Sequence, residues 1–288
     1  MRETSGCRFR QSLDTERPLQ VVGVINAYCA RLAERAGFRA LSLSGAGVAN
    51  ASFGLPDLGM TSLNDVLEDA RRITGTTDLP LLVDCDTGWG SPLTIARTVR
   101  EMTRAGVAAF NLEDQVDTKR CGHRPGKQLV SAEVMVNRLK AAVDARSDAQ
   151  FVIMARTDAA AGEGLDAAIE RAARYVEAGA DLIFAEALTD VAQYRRFTQA
   201  LNVPVLANMT EFGRSPLLTV DELRDIGIRL VLYPLTAFRA MSEAAVRVYE
   251  TVRTTGTQAE LLSSMQTREA LYDVLDYHSL EARLDREQ

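Results

Sequence analysis

Short apolar runs recur along the chain, each closing on or beside a polar residue and each followed by a stretch with helical spacing. They cover residues 19–26, 40–44, 79–84, 107–113, 151–156, 181–186, 203–208 and 229–234. Each is rich in Val, Ile, Leu or Phe and too short for a free-standing helix, as strands buried on both faces should be. Amphipathic segments at 131–146, 164–178 and 192–201 lie between them. This alternation predicts βα units around a parallel sheet. Eight such runs, with no composition break or low-complexity linker, predict one α/β domain over residues 1–288: a (β/α)8 TIM-type barrel, with residues 258–288 as a C-terminal helical extension. A doubly wound sheet is the competing arrangement. Its argument is Gly45-Ala46-Gly47, but Asn50-Ala-Ser-Phe-Gly-Leu-Pro56 follows where a dinucleotide-binding turn needs a helix to open.

Composition narrows the partners. Lys+Arg 33 against Asp+Glu 39 leaves a formal charge of -6, which weighs against nucleic acid because phosphate binding needs concentrated positive charge. No apolar stretch approaches the roughly 18 residues that span a bilayer, so no membrane partner is expected. The polar start, Met1-Arg-Glu-Thr-Ser-Gly-Cys7, lacks the apolar core of a signal peptide. Cys7, Cys29, Cys85 and Cys121 form no C-x-x-C pair, which disfavours zinc and a disulfide framework. A reduced, cytoplasmic protein acting on a small molecule is the expectation.

The chemistry gathers at the ends of the runs. Ser44, Asp84, Glu113, Arg156, Glu186 and Asn208 close six of them, and barrel enzymes build their sites at the C-terminal ends of strands. Three of these ends are acidic and would repel one another without a cation. Asp84-Cys85-Asp86, with Glu113 and Asp57 of the Gly54-Leu-Pro-Asp-Leu-Gly59 loop, supplies an all-oxygen donor set. Such a set suits Mg²⁺, which keeps several waters and takes one or two carboxylates directly. Asp84 is expected to bind directly and Asp86, Asp57 and Glu113 through water. Asp114 is expected instead to cap or to pair with a basic neighbour. Arg156 can grip a carboxylate with two parallel hydrogen bonds. Asn208, Thr210 and Ser215 add neutral donors, and Ser44-Gly45-Ala46 exposes backbone amides. Cys121 lies in Lys119-Arg-Cys-Gly-His123, among cations that favour the thiolate, and Gly122 permits close approach to a ligand. A small polyanionic carboxylate is the substrate these groups suggest.

Taken together, Ser44–Gly47, Gly54-Leu-Pro-Asp-Leu-Gly59, Val83-Asp-x-Asp-x-Gly88, Leu112-Glu-Asp-Gln115, Lys119-Arg-Cys-Gly-His123 and Ala155-Arg-Thr-Asp158 resemble the isocitrate lyase and phosphoenolpyruvate mutase superfamily. Asn208-Met-Thr-Glu-Phe-Gly213, Leu232-Tyr-Pro-Leu235, Phe238-Arg-Ala240 and Met265-Gln-Thr-Arg268 extend the likeness over nearly the whole chain. The resemblance implies a Mg²⁺-dependent retro-Claisen cleavage of 2-methylisocitrate into pyruvate and succinate, as in propionate catabolism. It makes Cys121 the proton donor to the succinate carbanion and places Arg156 and Glu186 at the hydroxyl-bearing end. Gly122, His123, Asn208, Thr210, Arg239 and Arg268 would bind carboxylates, and Phe184 and Leu232 would receive the extra methyl group. It further implies a homotetramer, a dimer of dimers with the eighth helix swapped between subunits.

Three positions depart from the family pattern: Ser42 for a tyrosine, Ala46 for a second glycine and Asn111 for a histidine. A lyase for a related 2-hydroxy acid of the dimethylmalate kind, a carboxyphosphonoenolpyruvate mutase and a non-catalytic binding paralogue therefore stay open.

Overall fold

A computed structural model describes residues 3–287; Met1, Arg2 and Gln288, the ends of the expected 1–288 domain, lie outside the described residues. The strands are β1 Leu19–Gly23, β2 Ala40–Leu43, β3 Leu81–Asp84, β4 Ala109–Glu113, β5 Val152–Thr157, β6 Leu182–Ala185, β7 Val205–Asn208 and β8 Leu230–Tyr233. Each pairs in parallel with the next, and β8 returns to β1, so the sheet closes into a barrel. The doubly wound alternative is excluded by that closure.

The helices are α1 Ser5–Thr15, α2 Ala27–Arg35, the single turn α3 Gly45–Gly47, α4 Leu63–Thr74, α5 Pro92–Arg104, α6 Ala132–Ala145, α7 Leu165–Glu177, α8 Val191–Ala200, α9 Val220–Asp225, α10 Thr236–Thr255, α11 Arg268–Leu275 and α12 Tyr277–Glu287. Their starts follow local chemistry. Asn26, Ser131 and Asp190 accept the backbone N–H of the third residue of α2, α6 and α8, and such caps contribute about 1 kcal/mol each. Ser62 with Asp65 and Thr219 with Glu222 form reciprocal capping boxes on α4 and α9. Gly179, at φ 104, lets the chain leave α7 in a backbone conformation that costs other residues strain.

Two apolar layers result. One lies between sheet and helices and includes Leu41, Val83, Phe110, Ile153 and Val231. The other fills the barrel: Leu19, Val21, Ala40, Leu82, Val152, Met154, Leu182, Leu206 and Leu230, joined by Phe9 and Leu13 of α1. α1 thus closes the N-terminal end of the barrel, held there by Arg10, whose Nη2 donates to Asp181 Oδ1 at 2.9 Å. Deleting any such buried Leu or Phe side chain would cost roughly 2–5 kcal/mol. With that end sealed, the opposite end is where a ligand can enter.

α10 breaks the pattern. It has no buried residue along 20 residues, and Met241, Val246, Tyr249 and Val252 are exposed on it. Beyond it, a 3₁₀ turn at Ala259–Ser264 and α11 and α12 form the expected C-terminal extension. This segment returns to α2 through Tyr28, whose hydroxyl donates to Gln266 Oε1 at 2.7 Å, and through Arg31 with Asp276.

Candidate active site

The strand pairing sorts the inward side chains into layers. Ser42 on β2, Asn111 on β4, Phe184 on β6 and Leu232 on β8 come from alternate strands and floor a cavity of about 180 Å³. Four side chains from alternate strands make one layer of a barrel interior. Asp84, Arg156 and Asn208, from the odd strands, rise above that floor as walls. Ser44, Ala46, Asp57, Lys119, Cys121, Gly122, His123, Glu186, Thr210 and Arg239 also line it, with Asn50, Pro234 and Leu235. All three departures from the family pattern, Ser42, Ala46 and Asn111, therefore face the cavity.

On the β3 side the carboxylates surround an ammonium. Lys119 Nζ lies 2.5 Å from Asp57 Oδ1 and 2.7 Å from Asp86 Oδ1. Burial opposes its charge, but Asp86, Glu113, Asp84 and Asp57 together hold it protonated well above the ordinary lysine range. Asp84 accepts from Asn111 Nδ2 at 2.9 Å, from the Asp86 amide at 3.2 Å and from the Gly45 amide at 3.3 Å. Asn111 thus aims the carboxylate rather than offering a titrating group. Burial pushes Asp86 up to about 6, against the opposing pull of Lys119. Glu113 is fully buried, both its oxygens lack a hydrogen-bond partner, and burial raises it well above the usual carboxylate range. Asp57 and Asp84 line the cavity; Asp86, Glu113 and Gly45 do not.

On the β5–β6 side every charge is paired. Arg156 Nε donates to Asp158 Oδ2 at 2.9 Å and Nη2 to Asp158 Oδ1 at 3.3 Å, with Glu186 Oε2 at 3.2 Å and Glu113 Oε2 at 3.4 Å. Its guanidinium sits over the Phe184 ring, 5.1 Å from the centroid. The two-pronged grip expected for a ligand carboxylate is therefore spent on Asp158. Burial would raise Glu186, yet Arg156 and then His123 hold it down at about 2. His123 Nδ1 accepts from the Arg214 amide at 3.0 Å, which leaves the ring proton on Nε2, 3.0 Å from Glu186 Oε1.

The loop carrying Cys121 is packed down on the rim. The Gln115 amide bonds both backbone groups of Arg120, at 2.9 and 3.0 Å. A Cβ at Gly122 would stand 2.4 Å from Glu186 Cγ and 2.5 Å from Arg156 Nη2, so only glycine permits this approach. Arg239 reaches the cavity from α10, with Nε 3.5 Å from Glu211 Oε2. Two expected groups lie elsewhere. Arg268, the first residue of α11, and Ser215, which is buried, do not line the cavity. Asp114 is held by Thr157 Oγ1, the Asp158 amide and the Tyr175 hydroxyl at 2.7–2.9 Å, and its basic neighbour is Arg171, with Nη1 3.7 Å from Oδ2.

Sequence reasoning gave no role to Lys127 or Arg138, placed Asp158 only within a motif, and offered Lys119 as a cation beside the thiol rather than as a partner of the carboxylates. Lys127 Nζ donates to Gly122 O at 2.6 Å and Asp158 Oδ1 at 2.7 Å, and Arg138 donates to the Glu113 and Gln115 carbonyls. Lysines two before and six after Cys121 were the available signal.

Among the described residues no three His, Cys, Asp or Glu side chains are already grouped to seize an ion, and no helix is long and apolar enough to cross a membrane. The fit to a hard cation rests instead on the orphaned Glu113 oxygens and on four carboxylates around one ammonium.

The sequence profile for phosphoenolpyruvate phosphomutase matches residues 9–253. The 2-methylisocitrate lyase of Shewanella oneidensis is 59% identical, over 99% of this chain and 98% of that protein. That of Escherichia coli K12 is 58% identical, over 97% and 95%. The crystal structure of a 2,3-dimethylmalate lyase superposes with a TM-score of 0.91 at 35% identity, covering 99% of this chain and 96% of that one. A phosphonopyruvate hydrolase solved with oxalate and Mg²⁺ gives 0.85 at 28% identity, over 97% and 98%.

Proposed function

The chain belongs to the phosphoenolpyruvate mutase and isocitrate lyase family, and from that premise we propose that it is a carbon–carbon lyase cleaving 2-methylisocitrate into pyruvate and succinate with the aid of Mg²⁺. The observation that carries the reading is the placement of Cys121, Asp84 and Asp57 on the walls of one cavity, alongside relatives named for this activity at 58–59% identity.

Asp84 would hold the ion directly, with Asp57, Asp86 and Glu113 reaching it through water, as suits a cation that sheds few waters. When bound, Mg²⁺ supplies Lewis-acid polarisation of the substrate's hydroxyl and carboxylate oxygens. Asn111 keeps Asp84 aimed through its 2.9 Å hydrogen bond. As a base takes the hydroxyl proton, the hydroxyl-bearing carbon becomes the ketone of pyruvate, the C–C bond breaks and the electron pair of that bond passes to the succinate half. Cys121 then gives its proton to that carbon. A thiol suits this step because its ordinary pKa of about 8.5 lies close to neutral pH. His123, Asn208, Thr210, Arg239 and the Gly122, Ser44 and Ala46 backbone, all on the cavity lining, would bind carboxylates from the rim. Phe184 and Leu232, the apolar half of the floor, offer a seat for the methyl group.

A swapped homotetramer belongs to the same proposal. Its support is α10, which lies unburied with an apolar stripe, and Arg268, which a second subunit would have to bring to a cavity it does not reach here. We also assign the protein to the cytoplasm and to propionate catabolism on this reading. A second reading, cleavage of a related 2-hydroxy acid such as a dimethylmalate, is favoured by the cavity-facing Ser42, Ala46 and Asn111.

The test is incubation with racemic 2-methylisocitrate and Mg²⁺, following pyruvate through a coupled dehydrogenase, with 2,3-dimethylmalate in parallel. Pyruvate from the first substrate is expected. Folded protein that releases none from it, but cleaves dimethylmalate, would replace the first reading with the second.

A further inference from the structure

The Cys121 loop meets the barrel through two buried ammonium groups, and the second of them has no part in binding or chemistry as argued so far. Lys127 Nζ is 2.6 Å from the Gly122 carbonyl and 2.7 Å from Asp158 Oδ1, with a side chain 6% exposed. Asp158 is held on several sides: its side chain is fully buried, it takes both prongs of Arg156, and its amide donates to Asp114. A continuous path of short polar contacts therefore runs from the frame of β5, through Asp158 and Lys127, to the backbone next to Cys121.

The other loop contacts do not reach the Gly122 carbonyl. Gln115 fixes Arg120, at the base, the Arg124 amide donates to the Cys121 carbonyl at 2.9 Å, and the Arg214 amide holds His123. Between them Gly122 has no side chain, so only its backbone can be gripped, and its carbonyl is what Lys127 grips. Without that bond the peptide could rotate, and the Sγ of Cys121 would lose its position over the cavity.

We propose that Lys127 is a positioning residue, the latch that, braced by Asp158, fixes the Gly122 peptide and so aims the Cys121 thiol. The lysine does not itself reach the cavity lining. Its effect belongs on the step that needs the sulfur and far less on substrate affinity. Misplacing a reacting group by about 1 Å costs on the order of 10²-fold in rate.

The full-length enzyme carrying Lys127→Met separates these effects in two ways. First, the alkylation rate of Cys121 by iodoacetamide, read on its tryptic peptide by mass spectrometry, should rise about tenfold as the loop loosens. Second, kcat for pyruvate release should fall by about 10²-fold with KM nearly unchanged. Lys127→Arg keeps donors for both acceptors and should restore protection of the thiol. The turnover measurement rests on the lyase reading, whereas alkylation does not, so a protein inactive on every substrate still tests the latch. Alkylation of folded Lys127→Met at the parental rate overturns the proposal. So does Lys127→Arg reacting as fast as Lys127→Met, because a merely space-filling lysine would give that result.

Discussion

On the β5–β6 flank of the cavity, Arg156 spreads its fork over Asp158 and touches Glu186 and Glu113. On the β3 flank, Lys119 stands among Asp57, Asp84, Asp86 and Glu113. Both flanks are buried and both mix acids with a cation, yet Glu186 on the first and Asp86 on the second move in opposite directions. Glu186 is held at about 2 because Arg156 and His123 outweigh its burial. Asp86 rises to about 6 because burial outweighs Lys119, which three other carboxylates share. A planar guanidinium can satisfy several oxygens at once, whereas an ammonium is a compact point charge. The charges of the first flank are therefore matched without a ligand. The second carries excess negative charge and uncommitted oxygens, which is the condition a hard divalent ion relieves.

The sharpest way to break that contrast is Asp84→Asn. It should abolish Mg²⁺ binding in calorimetry and lower turnover by roughly 10³-fold, some 4 kcal/mol of lost charge stabilisation. The far-UV circular dichroism should stay unchanged. A variant that still binds the ion as the parent does would mean that the β3 flank does not hold it.

Next in size is Arg156→Met, which leaves Asp158, Glu186 and Glu113 buried around an uncharged chain. Removing one partner of a buried pair costs about 3–5 kcal/mol, readable as a shift in the urea midpoint. Added Mg²⁺ should not recover it. Lys119→Met, on the other flank, should be rescued by Mg²⁺ to a much larger degree, because the ion replaces the missing charge.

The smallest effect is a pH dependence of opposite sign on the two flanks. Glu186 is depressed, so its contribution to stability is present above its unfolded value of about 4.3 and is lost as pH falls toward 2. Asp86 is raised, so its contribution is full below about 3.9 and is lost as pH rises through 6. Because the ion needs the ionised form, Mg²⁺ affinity should climb about tenfold from pH 5 to pH 7. Asp86→Asn should flatten that rise, and an equally steep rise in the variant would place the titrating group elsewhere.

The barrel itself was legible because strands buried on both faces write themselves as apolar runs, whatever packs around them. Their ends were less so. The run at 19–26 outlasts β1, since Asn26 has left the sheet to cap α2. Among site residues, Asp84, Arg156 and Asn208 follow from strand position alone, because the C-terminal rim of a barrel has one inside. Which of them would be free did not follow. Arg156 looked available for a ligand until Asp158, two residues on, was found holding both its prongs. Asp86 and Glu113, expected to reach the ion through water, sit behind the lining, a depth that strand position alone did not give.

Hydrophobic spacing, a local property, determined by itself that this chain closes eight βα units and carries acids, an arginine and a thiol to one rim. Only the folded chain decided how those charges are shared. Lys119 reaches Asp57 across 62 positions, and Lys127 reaches Asp158 across 31. Coulomb and hydrogen-bond energies depend on separation in space and on burial, and neither quantity is written in the order of residues.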